Sequence, residues 1–151
     1  MGTAATEFEE FVNVARPRLM RALAASRGLD RAEDGTAEAL SFAWEHWDGV
    51  RAMANPVGYL YRVAVSRTRP RRTVVLPAPE AIGATEVEPG LVPALLALPN
   101  GQRAAVWLIY GCAWTYAEAA EAIGISVSAV GNQLRRGLDR LRKELEVETH
   151  A

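Results

Sequence analysis

Residues 115–136 read TYAEAAEAIGISVSAVGNQLRR. Thr115 followed three positions later by Glu118 is a capping box, and it opens an apolar run through Ala119, Ala120 and Ile123 that predicts a helix. Gly124 supplies a turn residue that tolerates positive φ, and Ser126 is placed to cap a second helix. A helix-turn-helix needs a small residue where its helices cross, a permissive residue in the turn and an apolar anchor under the second helix. Ala120, Gly124 and Val130 stand at those three places.

Along the second helix, Val127, Val130, Leu134, Leu138, Leu141 and Leu145 form one apolar stripe. Off that stripe, near the helix start, lie Ser126, Ser128, Ala129, Asn132, Gln133, Arg135 and Arg136, the candidates to face a DNA major groove. Asn and Gln side chains pair bidentately with adenine, and Arg pairs with guanine or phosphate. An ordinary helical hairpin with a solvated polar face has the same periodicity. Between positions 126 and 143, however, five basic residues stand against the single acid Asp139, a local excess that favours phosphate.

Upstream, Leu91 to Leu98 form a short apolar segment before a helix over about residues 101–110, closed by Gly111. Residues 73–99 differ in kind: Pro77, Pro79, Pro89, Pro93 and Pro99 with Gly83 and Gly90 defeat regular backbone hydrogen bonding, and the charges there are Glu80, Glu86 and Glu88. The expected organisation is therefore all-α, two small helical modules (1–72 and 91–151) joined by a Pro-rich linker (73–90) that leaves their relative orientation open.

In the first module, Phe8, Phe11, Val12, Ala15, Leu19, Ala22 and Leu23 recur at helical spacing up to Gly28. A second helix is expected from an Asp30 cap through Ala37, Leu40, Ala43, Trp44 and Trp47 until Asp48-Gly49 breaks it. A third begins with Asn55-Pro56, carries Tyr59, Leu60, Val63 and Ala64, and should stop before Pro70. Arg62, Arg67, Arg69, Arg71 and Arg72 cluster around its end beside Tyr59 and Tyr61, a mixture of rings and guanidinium groups suited to unstacked bases and phosphates. A cationic helix C-terminus is also favoured on its own account.

Composition narrows the classes. The 151 residues are 50% hydrophobic and 23% charged with a net charge of -1, so attraction to nucleic acid has to come from local clusters. One cysteine, Cys112, and two histidines, His46 and His150, exclude a disulfide framework and a Cys/His zinc site. The uncharged stretch 104–117 is too short for a bilayer span, and cytoplasmic residence is expected. No glycine-rich phosphate loop or nucleophile motif supports an enzyme, and no cofactor is implied.

Taken in order, Trp44-Glu45-His46-Trp47-Asp48, Asn55-Pro56 with Tyr59-Leu60-Tyr61-Arg62-Val63-Ala64, the proline-rich linker, Leu98-Pro99 with Gln102-Arg103, and Tyr116-Ala117-Glu118 through Arg142 resemble a group IV (extracytoplasmic-function type) sigma factor of the sigma-70 family. The resemblance implies a dissociable, non-catalytic specificity subunit of bacterial RNA polymerase, with region 2 in the first module and region 4 in the second. It implies docking of the helix around Asp34, Glu38 and Trp44 on the polymerase clamp, and capture of the melted minus-ten strand by Asn55, Tyr59, Arg62, Arg67 and Arg69. It further implies entry of the last helix into the minus-thirty-five major groove and control by an anti-sigma factor.

Two departures stand out. The clamp-binding segment reads Asp34-Gly35-Thr36-Ala37-Glu38 where the family usually has Asp-Leu-Val-Gln-Glu, and a helix-interior glycine costs about 1 kcal/mol relative to alanine. Ser66 and Pro70 stand where the family's basic helix continues through Asn and Asp. A sigma-derived helix-turn-helix regulator or adaptor that does not itself support initiation is the alternative reading.

Overall fold

The computed structural model describes residues 2–68 and 90–150, except the side chains of 26 and 147–150. Among them are eight α-helices and no strand: α1 (Thr3–Arg27), α2 (Leu29–Glu45), α3 (Trp47–Arg51), α4 (Pro56–Arg67), α5 (Leu91–Ala97), α6 (Asn100–Val106), α7 (Tyr116–Ile123) and α8 (Val127–His150). The expected linker up to residue 89 and Arg69 to Arg72 lie outside the described residues, and Gly90 is the N-cap of α5.

The apolar spacing of the first module forms the helices expected of it. Ala15, Leu19, Ala22 and Leu23 of α1 are fully buried against Ala32, Ala39 and Ala43 of α2, and Leu60 and Ala64 of α4 complete the same core. Small residues on α2 let the helices approach closely while leucines fill the space between them. Pro17 lies inside α1 on an exposed side, where solvent can satisfy the carbonyl its ring leaves unpaired.

Three local expectations are corrected. Gly28, with φ of 82°, is the N-cap of α2, so Asp30 falls in the first turn, where a carboxylate still meets the positive end of the helix dipole. Asp48-Gly49 does not end helical structure; both lie in α3, a short helix held by buried Trp47 and Val50. Tertiary burial of those two side chains outweighs the poor propensity of the dipeptide. Asn55 is the N-cap of α4 with Pro56 following, but its side chain makes no capping bond.

In the second module α5, α6 and α8 enclose their own apolar cluster of Ala94, Leu98, Ala105, Val106, Leu134 and Leu141. The end of α6 widens into a π turn, Trp107–Gly111, which rotates Trp107 and Leu108 into burial. These two, with Trp114, Ala119, Ala120 and Val130, belong to the same core cluster as the first-module helices. The contact is carried chiefly by α7 against α4.

Leu60 is fully buried, so Leu60→Ala should lower unfolding free energy by about 3 kcal/mol. Gly124→Ala, at φ of +81° with no heavy atom within 4 Å of an added methyl, should lower it by about 1 kcal/mol through backbone strain alone. Urea titrations followed by circular dichroism measure both.

Candidate nucleic-acid interface

Both halves of the capping box are formed. The Glu118 N–H donates to Thr115 Oγ1 at 3.0 Å and the Thr115 N–H donates to Glu118 Oε1 at 3.1 Å. At the other end of α7, Gly124 adopts the left-handed conformation, and the N–H groups of Gly124 and Ile125 both donate to the Ala120 carbonyl, at 2.8 and 3.1 Å. Ser126 Oγ then accepts from the Ala129 N–H at 3.0 Å, which caps α8. With Ala120 and Val130 buried between the helices, residues 115–136 form a helix-turn-helix.

Its second helix turns Ser126, Ser128, Asn132, Arg135 and Arg136 to solvent. Asn132 Oδ1 accepts from Arg135 Nη2 at 3.4 Å, aligning a guanidinium beside an amide on one edge. Ala129 is half-buried. Gln133 is half-buried too, its amide packed over Gly101 at the start of α6, so that side chain leans toward its own module. Val127 leaves the expected apolar stripe: it is 50% exposed beside the two serines.

The first-module candidates divide among different surroundings. Asn55 is half-buried at the head of α4, and the Tyr59 ring packs on Phe42 of α2 with centroids 6.0 Å apart. The Arg67 guanidinium lies over the same Phe42 ring at 5.3 Å and 3.5 Å from Glu38 Oε2. A carboxylate expected to meet polymerase is therefore paired with an arginine expected to meet DNA. Arg62 reaches across to α7, donating to the Glu121 carbonyl at 3.2 Å with the Glu121 carboxylate 3.7 Å away. Arg69 lies outside the described residues. Asp34, Glu38 and Trp44 are all exposed on α2, and Trp44 packs on Phe8 beside a groove between α1 and α2 lined by Val12, Met20 and Leu40.

Residues 91–141 match the family described as sigma-70, region 4. The C-terminal module is similar to sigma-70 region 4. Across nearly the whole chain the fold is that of two solved structures. The sigma factor RpoE in complex with the anti-sigma factor NepR from Bartonella quintana gives a TM-score of 0.67 at 22% identity, covering 93% of this chain and 98% of that one. CnrH in complex with the cytosolic domain of CnrY gives 0.60 at 21% identity, covering 93% and 88%. No curated protein matches the chain. The likeness to sigma factors thus rests in sequence on residues 91–141 and in fold on nearly the whole chain.

Two residues that sequence reading did not single out, Arg18 and Trp114, join the C-terminal module to the first. Arg18 Nη2 of α1 donates to Glu118 Oε1 at 2.8 Å and its guanidinium stands 5.6 Å from the Trp114 ring, while Tyr61 of α4 meets Trp114 edge-on at 5.7 Å. Burial pulls the Glu118 carboxyl upward, but the bonds from Arg18 and Thr115 outweigh it and hold the group below its ordinary value of 4.5. Nearby, burial pushes the Cys112 thiol up to about 12 against the opposing pull of Arg21 and Arg18, so it is an inert packing group.

Because the folded carboxyl is the stronger acid, its ionised form adds stability that is complete above its ordinary value of 4.5 and is lost as pH falls through the lowered folded value. Glu118→Gln should therefore cost about 1 kcal/mol at neutral pH, typical of a lost cap, and flatten the acid limb of stability against pH. Thermal denaturation between pH 3 and 7 measures both.

Proposed function

We infer that this chain is a promoter-recognition subunit of bacterial RNA polymerase, a group IV sigma factor that binds core polymerase and directs initiation. One observation carries the reading: the region 4 match falls on a helix-turn-helix whose polar edge is exposed, within a chain that has the sigma-factor fold throughout.

The division of labour runs along the chain. Residues 1–72 act as region 2, residues 73–90 as the connection, and residues 91–151 as region 4. Asn132 and Arg136 read base edges of duplex DNA in the major groove, with Ser126, Ser128, Ala129 and Arg135 at its walls and phosphates, while Gln133 packs toward α6. The α2 surface bearing Asp34, Glu38 and Trp44 docks on polymerase.

Asn55, Tyr59, Arg62, Arg67 and Arg69 capture the melted strand. Stacking of a base on an aromatic ring contributes about 1–3 kcal/mol, which offsets part of the cost of unstacking the duplex. The protein supplies binding and positioning; bond formation belongs to the polymerase. It acts in the cytoplasm on the nucleoid, and the anti-sigma complex of RpoE supports an anti-sigma factor as its antagonist.

Mixed with core polymerase and a genomic library, the chain should co-purify with the enzyme and yield a defined set of run-off transcripts. DNA binding with no specific transcript would reject an initiation role. Arg136→Ala should weaken duplex binding, lowering the slope of log affinity against log salt by about 1 if the side chain meets phosphate, or relaxing preference at one base pair if it meets guanine. Fluorescence anisotropy at several salt concentrations distinguishes these, and unchanged binding at all of them removes Arg136 from the interface.

A further inference from the structure

Helix α8 exposes two features that its polar edge does not explain. Val127, in the first turn between the exposed Ser126 and Ser128, is 50% exposed although its period places it on the buried stripe. Gly131 follows one turn later on the same row of the helix. A helix-interior glycine costs about 1 kcal/mol relative to alanine, so packing normally accounts for it. At three other helical glycines it does: a methyl group on Gly58 would collide with the Glu118 carbonyl, one on Gly137 would lie 2.8 Å from Val106 Cγ2, and one on Gly35 3.1 Å from Thr68 Cγ2. At Gly131 the nearest heavy atom is Tyr116 Cε2, 3.8 Å away, which is ordinary contact. Among the described residues, then, no neighbour requires this glycine. With the Val127 isopropyl group at one end and the half-exposed Tyr116 ring beside it, Gly131 leaves a shallow apolar notch on the surface of the helix-turn-helix.

The surroundings of that notch decide what fits it. It adjoins the exposed Ser128, Asn132, Arg135 and Arg136, on a helix whose residues 126–143 carry five basic side chains against one acid, so its occupant belongs to a polyanion that also presents an apolar group. In the major groove of a duplex the apolar group on a base edge is the thymine C5-methyl, and the first residues of a recognition helix are those that reach base edges. We propose that Val127 and Gly131 form a thymine-methyl reader: Val127 touches the methyl group, and Gly131, having no side chain, lets the base edge come up against the helix backbone. The proposal rests on the duplex-binding reading of α8 and adds a specificity to it. Asn132 and Arg136 offer hydrogen bonds to purines. The notch instead selects a pyrimidine, by a group that cytosine and uracil lack. Burying one methyl group is worth about fourfold in affinity, enough to fix one position of a binding site without dominating it.

Val127 is exposed enough to be replaced without disturbing the core, and circular dichroism checks that helicity is retained. The full-length chain, alone and bound to core polymerase, selects duplexes from a random-sequence library. The enriched site is then made with each thymine in turn replaced by deoxyuridine, which removes the C5-methyl and nothing else. By fluorescence anisotropy, wild type should bind one of these duplexes about fourfold more weakly than the thymine parent. Val127→Ser should bind that pair equally, at the level of wild type on the deoxyuridine duplex. Gly131→Leu, which fills the notch, should weaken binding of the thymine parent by about tenfold or more, as expected for loss of a base contact. Methyl effects that all persist undiminished in Val127→Ser would overturn the reader, and so would an enriched site in which no thymine methyl matters. Failure to enrich any sequence rejects duplex recognition by α8 and the notch with it, whereas an enriched site indifferent to the methyl rejects the notch alone.

Discussion

Glu118 Oε1 accepts from the Thr115 N–H and from the Arg18 guanidinium at once, so the oxygen that starts α7 also fastens α7 to α1. A capping glutamate is normally a local device that satisfies an orphan N–H at a helix terminus. Here its second lone-pair direction is used by a residue 100 positions away. The start of the helix-turn-helix and the placement of that motif on the first module are therefore coupled through one carboxylate. Its ionised form is favoured because two donors meet it in a half-buried site. Gly58 then sets how near α7 comes to α4, and the Trp114 and Tyr61 rings fill the remaining space.

What the sequence made legible is what depends on near neighbours. The capping box, the Gly124 turn and the Ser126 cap are encoded within three or four residues, and each forms as its spacing requires. The apolar stripes of α1 and α8 follow the same logic, since helical periodicity alone decides which face is buried. Propensity misled where burial at a distance intervened. Asp48-Gly49 reads as a break, yet Trp47 and Val50 carry helix through it by reaching the core. Val127 has the right period for the stripe but stands half exposed, since period alone does not say where a helix's packing partners end.

The placement of the candidate sites was legible only in part. The exposed edge of α8 follows from periodicity, whereas the partners of Arg62 do not, because Glu121 is 59 positions away with the linker between. Nothing local distinguishes an arginine waiting for phosphate from one holding a neighbouring helix. Gly58 is similarly silent: in a helix interior it reads as a cost of about 1 kcal/mol, and its reason becomes visible only when the Glu118 carbonyl is seen against it. Gly35, the oddity of the 34–38 segment, has a structural role of the same kind, being buried where Thr68, Leu23 and Ala64 converge on α2.

The seam between the modules is built from contacts of limited strength. Arg62 and Glu121 are each substantially exposed, and ion pairs in such positions contribute about 0–1 kcal/mol. The Trp114 indole N–H is buried without a hydrogen-bond partner among the described residues, as is that of Trp107, and an unsatisfied buried donor costs about 1–3 kcal/mol. Ring packing and the close backbone approach favour closure; the unpaired indoles oppose it. An interface so balanced is held closed by a margin that a competing ligand can overcome, since a ligand shifts an equilibrium only by its difference in affinity for the two states.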